Sequence, residues 1–113
     1  MRLPDLEGPI NNESTQGVEP MPPFSPQEAQ SRLAGLAGWK IEAGELVKTF
    51  QFKDFVASLH FVNRVGELAE QAGHHPDIDI RYNRVRLALT THDAGGLTQK
   101  DFDLATQAQK LTE

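Results

Sequence analysis

The fold is decided by residues 77–91, which read DIDIRYNRVRLALTT. Polar and apolar residues alternate on both sides of Asn83-Arg84, which is the pattern of two strands that each bury one face. The dipeptide between them suits a tight turn. The segment therefore predicts an antiparallel hairpin.

The register of this hairpin follows from its apolar residues. A turn centred on the dipeptide pairs Tyr82 with Val85, and each further pair along the ladder then joins an apolar residue to an apolar one. Tyr82 is accordingly expected to pack in the core. Extending the same ladder sets His75 opposite His92, with Cβ atoms about 4.5–5.5 Å apart. His74 lies beside them at the preceding bend.

Three helices are marked by their ends. A capping box at 25–28 predicts a first helix over 26–37, and a second box at 98–101 predicts the last helix. Between them, Asp54 can cap a longer helix whose apolar residues keep a period of 3.6 until Gly73.

A second hairpin precedes the long helix, because residues 39–41 and 46–52 have the composition of strands on either side of a turn. The elements therefore run α-β-β-α-β-β-α. With antiparallel strands and the helices on one face, they predict a two-layer α+β domain over residues 26–113. A domain of this size gains stability from self-association, so we expect a homo-oligomer.

Residues 1–25 differ from the rest of the 113-residue chain. They hold five of the seven prolines and few apolar residues, which predicts an extended or disordered N-terminal arm. A net charge of −5 argues against a nucleic-acid partner, and the absence of Cys excludes thiolate chemistry. No apolar run is long enough for a membrane helix, so a cytoplasmic protein without a membrane partner is expected.

Three of the four histidines are thus predicted to converge. Glu70 lies four residues before His74, where its carboxylate could orient that imidazole. The cluster has two functional interpretations: three imidazoles suit zinc, and imidazoles also exchange protons near neutrality without a metal. A purely structural cluster is the third alternative. His60 lies in the middle of the long helix and is expected to be a surface or packing residue outside the cluster.

One spacing resembles a family signature: Glu70-x3-His74-His75-Pro76-x5-Tyr82-x9-His92-x8-Asp101 is similar to that of the pterin-4a-carbinolamine dehydratases. The resemblance covers residues 26–111. It implies a four-stranded antiparallel sheet with helices on one face, assembled as a homodimer or homotetramer. It also implies a hydro-lyase that converts 4a-hydroxytetrahydrobiopterin to quinonoid dihydropterin and water without metal or cofactor, in tetrahydrobiopterin recycling.

The resemblance assigns the catalytic site to His74, His75, His92 and Glu70. It implies that His74 and His92 are acid–base groups at the C4a hydroxyl and that His75 holds the pterin. Glu70 would orient His74. Asp101 is explained first by its place in the second capping box, as an acceptor for a backbone N–H.

The chain departs from the family at Ile78, where many relatives carry Trp, so an aromatic wall of the pocket or of an interface is missing. The alternative function is a non-catalytic interaction protein on the same scaffold. Members of the family also act as dimerisation partners of transcription factors, and related scaffolds assist Rubisco assembly. The intact set of histidines favours catalysis.

Overall fold

Residues 22–113 are described by the computed structural model, and they form one four-stranded antiparallel sheet with three helices. The sheet order is β1-β2-β4-β3, so the two predicted hairpins lie side by side. The predicted order α-β-β-α-β-β-α and the α+β class are confirmed. The elements are α1 (Pro26–Arg32), β1 (Lys40–Glu42), β2 (Glu45–Gln51), α2 (Phe55–Ala72), β3 (Asp77–Arg81), β4 (Arg84–Leu89) and α3 (Gln99–Lys110), with short 3-10 turns at Leu33–Gly35 and His92–Ala94.

Helix ends lie where the capping residues predicted them, except at the end of α1. Ser25 and Glu28 form a reciprocal capping box, and the Asp54 side chain accepts from the Ala57 N–H at 2.9 Å. Gly73 closes α2 in the left-handed conformation, with φ 61°. These local signals therefore fix where the long helix begins and ends.

The first helix is shorter than the sequence predicts. It ends at Arg32, five residues before the predicted end, and the chain continues as a 3-10 turn and bends at Gly38, with φ 85°. The bend brings Trp39 into the core, where it is 5% exposed and its Nε1–H donates to Gln109 Oε1 at 3.1 Å. Burial of this large ring outweighs continuation of the helix.

The core lies between the sheet and the two longer helices. Alternate residues of the central strands point towards the helices, while the residues between them form the other face of the sheet. The two central strands and the two longer helices contribute to it the buried side chains of Leu46, Phe50, Val85, Leu87, Leu89, Phe61, Val65, Ala69, Phe102, Leu104, Ala105 and Ala108.

The predicted arm, residues 1–25, lies outside the described residues except for positions 22–25. Phe24 contacts the domain: its N–H donates to Leu97 O at 2.7 Å, and its ring lies 5.9 Å from that of Phe102. Within residues 22–113, no helix is long and apolar enough to cross a membrane.

The register of the β3–β4 hairpin differs from the prediction by two residues. Ile78 pairs with Leu87 rather than with Leu89, because the turn is formed by Tyr82 and Asn83. A shift of two keeps every side chain on its own face, so the apolar pattern cannot distinguish the two registers. The prediction that Tyr82 packs in the core is wrong: it has φ 53° and is 65% exposed.

A contact from the other hairpin selects the observed turn. The Phe52 N–H donates to Asn83 O at 2.8 Å, and Asn83 Nδ2 donates to Phe52 O at 3.1 Å. These bonds tie the turn to the end of β2, across 31 residues of sequence. Such a long-range contact is invisible to local turn rules.

We predict that the β1–β2 turn can be stabilised at Ala43. Ala43 and Gly44 both have positive φ, 51° and 79°, the backbone of a hairpin turn that favours Asn-Gly. Ala43→Asn should raise the free energy of unfolding by about 0.5 kcal/mol, since Asn tolerates this conformation better. Ala43→Val should lower it, because a β-branched side chain is strained there. Urea denaturation measures both, and shifts of the same sign would contradict the prediction.

Candidate active site

A cavity of about 240 Å³ opens where the end of α2, the end of β4 and the start of α3 meet. The three histidines that the sequence groups together all line it. The lining residues are Gly73, His74, His75, Thr90, Thr91, His92, Asp93 and Lys100.

The histidines meet by a different route from the predicted one. The predicted ladder, with His75 opposite His92, is not formed, because β3 begins only at Asp77 and β4 ends at Leu89. His75 lies in the loop before β3, and His92 begins the 3-10 turn after β4. The two imidazoles share the cavity because both adjoining strand ends open onto it.

His74 is held by a buried carboxylate. Its Nε2 lies 2.6 Å from Asp101 Oδ1, and the two side chains are 10% and 0% exposed. The other oxygen, Oδ2, accepts the Thr91 hydroxyl at 2.8 Å and the Thr98 N–H at 2.9 Å. Because a carboxylate can only accept, Nε2 is the protonated nitrogen of His74 and Nδ1 is left for other contacts.

Glu70 contacts His75 rather than His74, so the predicted orienting pair is wrong. Glu70 Oε2 lies 2.5 Å from His75 Nε2, with side chains 78% and 61% exposed. Gly73 turns the chain out of the helix before His74, and the expected spacing of one helical turn is therefore lost. The carboxylate that orients His74 is therefore that of Asp101, not that of Glu70.

The sequence did suggest a structural role for Asp101, and that role is confirmed: it is the third residue of the α3 capping box. The same carboxylate also holds His74, which the sequence analysis missed. The signal that could have revealed it is the second oxygen, because a capping bond occupies only one of them. A buried acidic residue at the third position of a capping box still has a second carboxylate oxygen that needs a hydrogen-bond donor.

The remaining groups of the cavity are more exposed. The His92 side chain is hydrogen-bonded to nothing within residues 22–113. Lys100, which sequence reasoning did not single out, adds a positive charge to the wall. His60 is exposed on α2 and does not line the cavity, so of the two predicted alternatives, surface or packing, the structure shows the surface. In the described part of the chain, no three His, Asp or Glu side chains lie close enough together to hold a metal ion.

We predict that removing the charge of Asp101 costs the protein much more stability than removing the charge of Glu70. Asp101→Asn should lower the free energy of unfolding by about 3 kcal/mol, because it replaces a buried acceptor of three hydrogen bonds. Glu70→Gln should change it by less than about 1 kcal/mol, because solvent screens that pair. Urea denaturation compares them. Similar losses in the two variants would show that burial does not separate these pairs.

Comparisons with known proteins place the chain in a family. A family described as pterin 4 alpha carbinolamine dehydratase matches residues 22–111. A protein of Acidobacterium capsulatum named "Putative pterin-4-alpha-carbinolamine dehydratase" is 58% identical over 91 residues, 80% of this chain and 99% of its own length. A protein of the same name from Roseiflexus sp. is 58% identical over 88 residues, 78% of this chain and 95% of its own.

Two solved structures share the fold. The crystal structure described as transcriptional coactivator/pterin dehydratase from Brucella melitensis superposes with a TM-score of 0.78 at 29% identity, over 80% of this chain and 99% of that one. A pterin dehydratase-like protein described as a RuBisCO assembly factor in the alpha-carboxysome superposes with a TM-score of 0.54 at 22% identity, over 65% and 84%. By the matched residues and these identities, this chain belongs to the pterin 4 alpha carbinolamine dehydratase family.

Proposed function

We propose that this protein removes water from 4a-hydroxytetrahydrobiopterin to form quinonoid dihydropterin, and that it acts in tetrahydrobiopterin recycling. Membership of the family supports the class of substrate. The observation that carries the proposal is the set of three imidazoles on one cavity, one of which is held by a buried carboxylate. The volume of about 240 Å³ lies just below the range of about 300–1,000 Å³ that is usual for ligand pockets, as expected for a ligand smaller than a typical drug.

The reaction needs one proton donor and one proton acceptor. The C4a–O bond breaks as the hydroxyl takes a proton and leaves as water, while N5 loses its proton and a C4a–N5 double bond forms. No electron enters or leaves, so neither an oxidant nor a reductant is needed. Imidazoles suit both transfers near neutral pH.

His74 and His92 are the proposed acid–base groups. Nε2 of His74 is committed to Asp101, so a proton passes to or from its Nδ1. His92 makes no side-chain hydrogen bond within residues 22–113, which leaves its ring nitrogens available to the substrate. The buried pair with Asp101 keeps one of the two rings in a fixed orientation, as proton transfer requires.

His75 is the proposed pterin contact. Its bond to Glu70 is exposed, so the ring can adjust when a ligand enters the cavity. We also propose that the protein works in the cytoplasm as a homodimer or homotetramer. The exposed apolar side chains of Phe55, Val56 and Leu59 on α2 support self-association.

We expect His92→Ala to lower kcat at least about 100-fold with little change in Tm, because the side chain is exposed and acts only in proton transfer. His75→Ala should chiefly raise KM. His60→Ala is the matched control, since it removes an exposed imidazole outside the cavity. The assay follows the absorbance of freshly generated 4a-carbinolamine against its spontaneous dehydration.

A wild-type rate equal to the spontaneous one would end the proposal and favour the alternative, an interaction protein on this scaffold. The Brucella melitensis protein, which is described as both coactivator and dehydratase, makes that alternative a specific one. Equal losses in His60→Ala and His92→Ala would remove His92 from the site.

We also expect the activity to survive exhaustive treatment with a chelator such as EDTA, because proton transfer by imidazoles needs no metal. The measurement is kcat before and after dialysis, with added Zn²⁺ as a further arm. Loss of activity on chelation and recovery with Zn²⁺ would support the zinc interpretation of the histidine cluster instead.

A further inference from the structure

The hydroxyl of Thr91 is buried next to the cavity, although the proton transfers above do not use it. Thr91 directly precedes His92 and is 8% exposed. Its Oγ1 lies 2.8 Å from Asp101 Oδ2 and 2.8 Å from Thr98 Oγ1. The hydroxyl therefore connects the carboxylate that holds His74 to the residue that caps α3.

The direction of each hydrogen bond follows from Asp101. As a carboxylate it only accepts, so the Thr91 hydroxyl donates to Oδ2, and the Thr98 hydroxyl in turn donates to Thr91 Oγ1. Thr98 Oγ1 accepts from the Lys100 N–H at 3.3 Å, at the start of α3. No hydroxyl hydrogen in this chain of bonds can turn away without breaking a buried hydrogen bond.

These bonds fix the plane of the carboxylate. Oδ2 accepts from both Thr91 and Thr98, which leaves Oδ1 for His74 Nε2. Without the Thr91 hydroxyl, only the Thr98 N–H at 2.9 Å would hold Oδ2. The carboxylate could then turn about its Cβ–Cγ bond, a torsion that is intrinsically soft, and Nε2 would lose its well-placed acceptor.

We infer that Thr91 is a positioning residue: its hydroxyl locks the Asp101 carboxylate and thereby holds His74 with Nε2 protonated and Nδ1 available to the substrate. The effect on rate rests on the proposed dehydratase function. The effect on the tautomer of His74 does not, and it can be measured in protein without substrate.

The test compares Thr91→Val, which removes the hydroxyl at nearly constant shape, with Thr91→Ser, which keeps it. Ser58→Ala is the matched control, because it removes another buried hydroxyl, bonded to Asp54 O at 3.1 Å. Ser58 lies about 22 Å along α2 from Gly73. The readouts are kcat, KM, Tm and the ring ¹⁵N shifts of His74, assigned by comparison with His74→Gln.

Thr91→Val should lower kcat about tenfold with KM within about twofold, because ground-state binding is untouched while a reacting group loses its orientation. Its His74 spectrum should change from the Nε2–H tautomer to a mixture. Thr91→Ser should have the kcat and the His74 spectrum of the wild-type protein. Ser58→Ala should lower Tm by a similar few degrees without changing kcat or the spectrum. If Thr91→Val does not fold, Thr91→Cys, a weak donor, replaces it.

Wild-type kcat and spectrum in Thr91→Val would overturn the inference. So would an equal loss of kcat in Thr91→Ser or Ser58→Ala, which would indicate a general effect of stability. A lower kcat with an unchanged His74 spectrum would also overturn it, since the effect would not pass through His74. If the wild-type protein proves inactive, the dehydratase proposal falls and the His74 spectra alone decide the role of Thr91.

Discussion

The hydrogen bonds that the buried carboxylate of Asp101 accepts are the interaction on which the site depends. They join three elements: the loop after α2 through His74, the end of β4 through Thr91, and the start of α3 through Thr98. A charge without solvent is tolerated only when its acceptors are filled, so these elements must be in place together. The pair of His75 and Glu70 is exposed, so solvent can satisfy its polar atoms and it does not require neighbouring elements to be in place. One wall of the cavity is therefore rigid and the other adjustable.

Much of the fold could be predicted from local chemistry. The capping boxes, the Asp54 cap and Gly73 place helix ends through bonds made within a few residues. Alternation correctly identified the strands and the face that each buries, but not the register of β3 and β4. That register depends on the bonds between Phe52 and Asn83, and the early end of α1 likewise depends on a distant partner of Trp39. Both errors arise where tertiary contacts outweigh local preference.

The sequence predicts which histidines line the cavity better than it predicts which carboxylate each histidine contacts. His74, His75 and His92 were grouped from their spacing, although the ladder used to group them was shifted. The carboxylate partners of the histidines differ from the predicted ones. Helical spacing favours a contact between Glu70 and His74, but the chain turns at Gly73 and Glu70 contacts His75 instead. Asp101 is 27 residues from His74. The capping box leaves its second carboxylate oxygen for another donor, but the local pattern does not show that this donor is His74.

The sheet order has a consequence for how the chain reaches this state. Each hairpin closes over a short turn, which takes microseconds in isolated peptides. The central pairing of β2 with β4 must instead wait until the whole of α2 has been looped out between them. Contacts at such separation slow folding. We expect the histidines to gather last, after the hairpins have docked, so that a nascent or partly folded chain carries the sheet before it carries a working site.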